Sequence, residues 1–336
     1  MTLPLPTGWT LTASAFNLTP ELVRAEASGP ALALSLIERD VADTIEVELG
    51  QLWRGFPDPA AHDTTRFRDD LARTGGALSI VGASIDDWAS PTRRRTEDER
   101  LDFLRPQLRA AAAIGADGLR LPIGQAGIGL LRRLVPLLEE HDLVLYEEAQ
   151  GQQSPGRAET DAAFEAIADL DSPHVRLLLD ISMLMPSLPS GYLDRLAAGR
   201  VSEQLVDRLR TGWRDPGTMP AVMDELRSGR VPGPVHTMFM NLLVRFGRSE
   251  VSDITAVLPL LSGVHLKFWD LDDTDGRVSG PIRKLGSALR ASGFTGTLCS
   301  EWGGHEWLDD DPWDITRRHL ALARAALAPG TPHAAR

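Results

Sequence analysis

Cysteine is almost absent from this sequence, because Cys299 is the one cysteine among 336 residues. A single thiol cannot form an internal disulfide, and it makes a thiolate metal cluster implausible. Both features need more sulfur atoms than the chain has. We therefore expect the chain to be native to a reducing compartment, and we predict a cytoplasmic protein.

Long apolar runs are also missing, and none approaches the ~20 residues that a transmembrane helix requires. The N-terminal segment MTLPLPTGWTLTA carries no positive charge of the kind that opens a secretory signal. These two absences predict a soluble, untargeted protein without a membrane partner.

Positive charge is scarce, since the formal net charge is −12 and the pI is near 5.2. Nucleic-acid-binding proteins usually present a basic face, whereas the longest basic run here, residues 93–95, is followed directly by the acidic TEDE. We expect no nucleic-acid partner. Glycine-rich phosphate motifs are absent too, because GQAGIG at residues 124–129 matches neither G-x-G-x-x-G nor a P-loop. We therefore assign no nucleotide-cofactor site.

What the sequence does have is an alternation of strand-like apolar runs and helix-like segments, repeated eight times. Runs of buried aliphatics are typical of parallel strands covered on both faces. The predicted strands are residues 9–16, 44–50, 78–85, 118–123, 143–148, 175–181, 264–269 and 297–302. Eight such cycles match a (β/α)₈ TIM barrel, an α/β fold that typically has about 250 residues plus insertions.

The clearest predicted helix, residues 96–114, begins with Thr96 and Glu99 as a capping box and stops at Gly115. Pro106 predicts a kink or a break within it. Further helices are predicted at residues 128–141, 161–170, 281–292 and 314–327.

The surplus length lies between the sixth and seventh predicted strands, at about residues 182–261, where residues 201–227 look helical. We interpret this segment as an insertion on the barrel rather than a separate domain. The prediction is a single TIM-barrel domain over residues 1–328, followed by a disordered tail over residues 329–336.

Charged side chains stand at the C-terminal ends of the last four predicted strands, which is the end where barrel enzymes keep their chemistry. These side chains are Glu147 and Glu148, Asp180, His265 with Lys267, and Glu301. An acid that caps a helix or lies at the surface explains any one of these positions. Four equivalent positions instead predict a single site.

Three clustered carboxylates repel one another unless a cation lies between them. Oxygen ligands with one imidazole suit Mn²⁺, Mg²⁺ or Co²⁺, and we expect Mn²⁺. Because side chains alternate across a strand, Asp180 shares a face with Leu178, and Leu177 and Leu179 point to the helices. We choose Glu147 over Glu148 as the ligand, because Leu143 and Leu145 then form the inward row of their strand.

Five of the eight tryptophans stand at or just beyond predicted strand ends. They are Trp53, Trp88, Trp269, Trp302 and Trp307. Core packing explains these positions, and so does a stacking surface for sugar or aryl groups at the barrel mouth. The roles of two further residues stay open. Lys267 is either a catalytic residue or a structural partner of a buried carboxylate. His305 is either a catalytic residue or a solvated histidine in a loop.

The segments VLYEEAQGQ, LLLDISM, VHLKFWD and LCSEWGGH resemble the xylose isomerase-like barrels, which include sugar phosphate isomerases and epimerases. The resemblance implies that Glu147, Asp180, His265 and Glu301 bind one divalent metal. It also implies that the two glutamates act as acid and base at a sugar carbon. The sequence departs from the family at Met183, where members often have a histidine, and it lacks the histidines of the three-zinc endonuclease branch.

The segments HLKFW and SEWGGHEW look most like one branch of this family, the large subunit of bacterial C-glycoside deglycosylases. The resemblance implies a small second subunit. In that reaction, proton removal at C2 of a 3-keto sugar gives an enolate that expels the aryl group from C1.

Our leading hypothesis is a metal-dependent, isomerase-like or epimerase-like enzyme that moves a proton at a sugar carbon. Glu147 and Glu301 would face that carbon from opposite sides, with Lys267 or His305 stabilising oxyanion charge. One alternative is a C-glycoside deglycosylase alpha subunit, a carbon–carbon lyase. Another is a barrel that binds metal and ligand without turnover. We also expect an oligomer.

Overall fold

Eight parallel strands close into a barrel in the computed structural model, which describes residues 4–328. The first strand pairs with both the second and the eighth, so the sheet has no free edge. The strands are Trp9–Ser14, Thr44–Glu48, Ala77–Gly82, Gly118–Pro122, Val144–Ala149, Val175–Asp180, Leu261–Phe268 and Gly296–Trp302. The predicted TIM barrel is confirmed, and we number these eight strands in chain order.

Helices connect the strands and surround the barrel. The α-helices are Thr19–Arg24, Gly29–Glu38, Leu49–Leu52, Ala61–Thr74, Glu97–Ile114, Gly127–His141, Ala158–Leu170, Ser190–Ala198, Glu203–Thr211, Thr218–Arg227, His236–Phe239, Asn241–Val244, Ser279–Ser292 and Pro312–Leu327. Short 3₁₀ helices span Ala15–Leu18, Ile181–Leu184, Gly233–Val235, Val251–Leu260, Thr274–Gly276 and Gly304–Glu306. A two-stranded hairpin, Trp88–Ser90 with Arg93–Arg94, follows the third strand. In the described part of the chain, no helix has both the length and the apolar character of a membrane span.

The helix Glu97–Ile114 has the predicted capping box. Thr96 Oγ1 accepts a hydrogen bond from the Glu99 backbone at 3.3 Å, and the Glu99 carboxylate accepts one from the Thr96 backbone at 2.8 Å. Of the two outcomes predicted at Pro106, a kink or a break, the break is wrong, because the helix runs on to Ile114. Leucines on both sides of Pro106 are buried in the core, and this packing outweighs the single lost hydrogen bond.

The main core lies between the strands and the surrounding helices. Leu177 and Leu179 are part of it, as predicted, and so are Leu143 and Leu145. A separate small cluster inside the barrel contains Ile80, Tyr146 and Leu178. In the fifth strand, therefore, the even-numbered residues face the barrel interior and the odd-numbered residues face the helices.

The chain between the sixth and seventh strands is mainly helical and has its own apolar cluster. Tyr192, Phe239 and Phe246 belong to this cluster, together with Trp269 and Trp307 from the segments that follow the last two strands. The stretch 201–227, predicted as helical, contains two helices. A turn at Gly212 separates them, where Thr218 Oγ1 donates to the Gly212 carbonyl at 2.5 Å.

The domain limits, including the treatment of residues 182–261 as an insertion, stay a prediction. The predicted disordered tail, residues 329–336, lies outside the described residues.

Candidate metal-binding and active site

Four buried side chains from the last four strands converge at the C-terminal end of the barrel. Glu148, Asp180, His265 and Glu301 each direct one ligand atom into a space where these atoms lie within 4.8 Å of one another. Asp180 and His265 are register partners on neighbouring strands. Closure of the barrel therefore brings together residues that lie up to about 150 positions apart in the chain.

Three of the four predicted ligands, Asp180, His265 and Glu301, are in this cluster, whereas Glu147 is not. Glu147 is fully buried on the outward face of its strand, where its Oε2 accepts a hydrogen bond from the Gly124 backbone at 2.8 Å. The predicted inward row of Leu143 and Leu145 is wrong for this strand. The structure places Glu148 in the cluster instead.

The buried polar atoms of the cluster fit a divalent cation. Asp180 Oδ2, His265 Nδ1 and Glu301 Oε2 are buried without a hydrogen-bond partner. The Nδ1 atom lies 3.0 Å from Glu148 Oε1 and 2.7 Å from Glu301 Oε2, although neither contact has hydrogen-bond geometry. Buried polar atoms are normally hydrogen-bonded. Hydrogen-bond acceptors that face one another without a donor between them are therefore the arrangement expected of metal ligands. Carboxylate oxygens with one imidazole nitrogen suit Mn²⁺ or Mg²⁺.

Positive side chains beside the cluster keep two of its acids ionised. Burial would raise the pKa of Glu148, but Arg120 and, without a bound cation, the protonated imidazole of His265 outweigh it and hold this pKa at about 2. Burial likewise opposes ionisation of Glu301, but Lys267 and His265 hold its pKa well below the usual range. For Asp180 burial prevails over the attraction of Lys267, and its pKa rises to about 6.

Arg120, on the fourth strand, joins carboxylates of the second and fifth strands, and it is not among the predicted site residues. Its guanidinium forms ion pairs with Glu148, at 2.5 Å, and with Glu48. The fourth strand, GLRLP, has one charged residue among apolar ones, and the second strand, TIEVE, has acids at alternate positions. These two patterns are the sequence signal that could have identified the inward-facing charges.

A cavity of about 430 Å³ lies above the cluster at the mouth of the barrel. Glu48, Arg120, Glu148, Lys267 and Glu301 line it together with Phe16, Phe56 and other residues. The volume is within the range of small-molecule sites, which is about 300–1,000 Å³.

The two predicted oxyanion-stabilising residues lie in different places. Lys267 lines the cavity, and its Nζ lies 3.0 Å from Glu301 Oε1. His305 is absent from the described residues that line the cavity, and its ring packs edge-on against Phe16 and Trp302. Burial lowers the pKa of His305.

The tryptophans mostly pack in the core rather than form a stacking surface. Trp53, Trp269, Trp302 and Trp307 are buried, and Trp88 alone of the five is exposed, on the hairpin. Phe16 and Phe56 supply the aromatic surface of the cavity. Met183, at the position where the family often has a histidine, is fully buried in the main core.

The fold and this cluster define a (β/α)₈ barrel with a candidate divalent-metal site. Solved structures of sugar epimerases share the fold. D-psicose 3-epimerase has a TM-score of 0.56 at 13% identity, over 95% of this chain and 99% of that chain. A 3-keto-D-glucoside 4-epimerase from E. coli has a TM-score of 0.53 at 14% identity, over 95% of this chain and 100% of that chain. At these identities the likeness shows the fold alone.

The sequence is also similar to curated enzymes, although no family model matches it. The C-glycoside deglycosidase alpha subunit of Arthrobacter globiformis is 28% identical over 93% of this chain and 90% of that protein. The 3'-dehydrocarminate deglycosidase alpha subunit of a Microbacterium species is 28% identical over 92% of each chain. The predicted resemblance is confirmed, and so is the prediction that the chain is an enzyme.

Proposed function

We propose that this chain is the metal-dependent catalytic subunit of a deglycosidase that cleaves 3-keto C-glycosides. Two observations support the proposal together. The cluster of Glu148, Asp180, His265 and Glu301 lies beneath a cavity of small-molecule size. The relatives that span nine tenths of the chain are named deglycosidase alpha subunits. Their names also support a second subunit as a partner.

The cation is held by Glu148, Asp180, His265 and Glu301 in this proposal, with Mn²⁺ as the expected ion. When bound, it supplies Lewis-acid stabilisation of negative charge on a substrate oxygen. The need for positive charge follows from the surroundings, because five carboxylates meet here and the permanent positive charges beside them are those of Arg120 and Lys267. The carboxylates are those of Glu46, Glu48, Glu148, Asp180 and Glu301. The acidic excess, which protonation of His265 only partly offsets, favours a divalent ion over an empty site.

The two glutamates of the cluster carry the proton transfer in place of the expected pair of Glu147 and Glu301. Glu148 and Glu301 both line the cavity, and both are ionised, as a general base must be. One of them takes the proton from C2 of the 3-keto sugar. The electron pair then forms the C1–C2 double bond and expels the aryl group with the C1–aryl bonding pair. The aryl ring carbon takes up a proton that the protonated glutamate returns, directly or through water, so the glutamate is ionised again.

Lys267 is placed to stabilise the enolate oxygen that this step creates. Its ammonium group lines the cavity beside Glu301, and the neighbouring carboxylates raise its pKa against the effect of burial, so it stays charged. A fixed positive charge in a buried site stabilises developing negative charge strongly. We assign this role to Lys267 rather than to His305.

An epimerase is the second candidate, because the same acids and one metal also serve proton exchange at a single sugar carbon. The test incubates the protein and Mn²⁺ with a 3-keto C-glucoside, with and without a co-expressed small subunit of such a deglycosidase, and separately with free ketoses. We expect release of the aglycone. Glu301→Gln should slow this release by at least ~10²-fold. Interconversion of free ketoses without any aglycone release would replace the deglycosidase proposal by the epimerase.

A further inference from the structure

Glu46 is a buried glutamate inside the barrel that the proposed reaction does not use. It is 4% exposed, in the middle of the second strand. Its neighbours Ile45 and Val47 belong to the core outside the barrel, so Glu46 faces the interior. An ionised carboxylate is costly to bury unless its oxygens are paired. The contacts of both oxygens therefore indicate what this side chain does.

Both oxygens of Glu46 have partners on other strands. Oε2 lies 3.0 Å from His265 Nε2 with hydrogen-bond geometry, and Oε1 accepts a weaker bond from Thr12 Oγ1 at 3.4 Å. An ionised carboxylate only accepts hydrogen bonds, so Nε2 of the imidazole must carry the proton in this contact. Glu46 thus fixes one nitrogen of His265, and the first and second strands fix Glu46.

The other imidazole nitrogen is the one that faces the proposed metal ligands. When a cation displaces the proton from Nδ1, the imidazole becomes neutral, with its remaining proton on Nε2 and a lone pair on Nδ1. That atom lies within 3.0 Å of oxygens of Glu148 and Glu301 and has no hydrogen-bond partner. A metal-bound histidine usually donates its second N–H to a carboxylate, which fixes the ring and its tautomer.

We infer that Glu46 is a positioning residue, which holds His265 with its Nδ1 lone pair directed at the cation. The presence of Glu46 is not explained by a need for negative charge near the imidazole, because Glu148 and Glu301 already supply that charge. The position of Glu46 at Nε2, rather than its charge alone, is the distinguishing feature. The inference rests on the metal site of the proposed function.

The test measures the dissociation constant of Mn²⁺ for metal-stripped, full-length protein by titration calorimetry. We expect Glu46→Gln to weaken Mn²⁺ binding by about 10- to 100-fold, the usual effect of losing such an outer partner. The amide can still accept a hydrogen bond, so the fold can persist. Without the charge that bond is weaker, and the amide can also turn its NH₂ group towards Nε2, so the ring and its tautomer are no longer held in one arrangement. Thr12→Val, which removes only the weaker bond, should have a smaller effect in the same direction.

Glu147→Gln is the matched control, since it makes the same substitution at an equally buried glutamate that does not contact the cluster. It should bind Mn²⁺ as the unmodified protein does. If Glu46→Gln does not fold, Glu46→Asp replaces it, because the shorter side chain withdraws the carboxylate from Nε2 and should also weaken binding.

The two proposals fail in different ways. If the unmodified protein binds no Mn²⁺ or other divalent ion, the proposed metal site and this inference are both overturned. If the unmodified protein binds Mn²⁺ and a folded Glu46 variant binds it equally well, the inference alone is overturned. A lower melting temperature with unchanged Mn²⁺ affinity would assign Glu46 a purely structural role.

Discussion

Glu147 and Glu148 are adjacent residues with the same side chain, yet the barrel gives them opposite environments. Glu147 lies outside the barrel interior, where burial raises its pKa to about 7 despite the hydrogen bond from Gly124. Glu148 lies inside, where Arg120 and His265 outweigh burial and hold its pKa at about 2. Near neutral pH Glu148 is therefore fully ionised and Glu147 only partly, and of the two glutamates Glu148 is the one in the candidate metal site and at the cavity.

This contrast leads to a paired prediction at the residue scale. Glu148→Gln should release the bound metal and slow turnover by at least ~10²-fold, because it removes both a ligand and a proton acceptor. Glu147→Gln should keep both properties, since its carboxyl group lies outside the cluster and, with a pKa of about 7, is already partly neutral near pH 7. Metal content per chain, measured with steady-state rates, tests both variants. Metal loss from the Glu147 variant with retention in the Glu148 variant would reverse the assignment.

At the scale of elements, the segment after helix Asn241–Val244 returns to the barrel through close backbone contacts at Gly247. The Gly247 N–H donates to the Ser182 carbonyl at 2.8 Å. A Cβ atom on Gly247 would lie 2.3 Å from the Gly151 carbonyl oxygen and 2.4 Å from Met183 Cα. This glycine therefore lets the segment pack directly on the chain that follows the fifth and sixth strands.

We predict that Gly247→Ala destabilises the protein by about 1–3 kcal/mol, because backbone atoms would have to move to admit the methyl group. Gly233→Ala is the control, since its added Cβ meets no atom within 4 Å. Thermal unfolding of the two variants gives the measurement. Equal melting temperatures for the two variants would show that the close approach at Gly247 is not rigid.

At the scale of the whole molecule, a buried neutral histidine links stability to pH. His319 is fully buried, stacks on Phe268 with ring centroids 3.8 Å apart, and shares a hydrogen bond of 2.8 Å with Ser300. Burial lowers its pKa to about 3, from an ordinary value near 6.5. Between these two values the unfolded chain binds a proton at this residue that the folded protein does not.

The contribution of His319 to stability is therefore complete above pH 6.5 and falls as the pH drops towards 3. The slope is at most about 1.4 kcal/mol per pH unit. His319→Gln should be less stable near neutral pH but should lose stability more slowly on acidification. Unfolding free energies measured between pH 7 and pH 5 test this prediction. His62→Gln, at an exposed histidine, is the control, and parallel curves for His319→Gln and the unmodified protein would contradict the prediction.

The sequence by itself determined the barrel and the end of it at which the candidate site lies. Eight apolar runs of strand length, each followed by a helix pattern, allow few other folds of this size. Asp180, His265 and Glu301 could be assigned to the candidate site from the sequence. Each of them follows or interrupts an apolar run at the same position relative to the C-terminal end of its strand. That information is local, since it depends on the hydrophobic pattern and on which residue ends a strand.

Only the tertiary structure decided which glutamate of VLYEEA enters the site. Both faces of a parallel strand are covered, so its sequence shows no polar and apolar alternation that would reveal the inward face. The roles of Arg120 and Glu46 likewise depend on contacts between strands distant in sequence, which barrel closure creates. The environment of the tryptophans was also decided by the tertiary structure. Whether an aromatic ring lines a cavity or fills the core depends on how neighbouring segments pack around it.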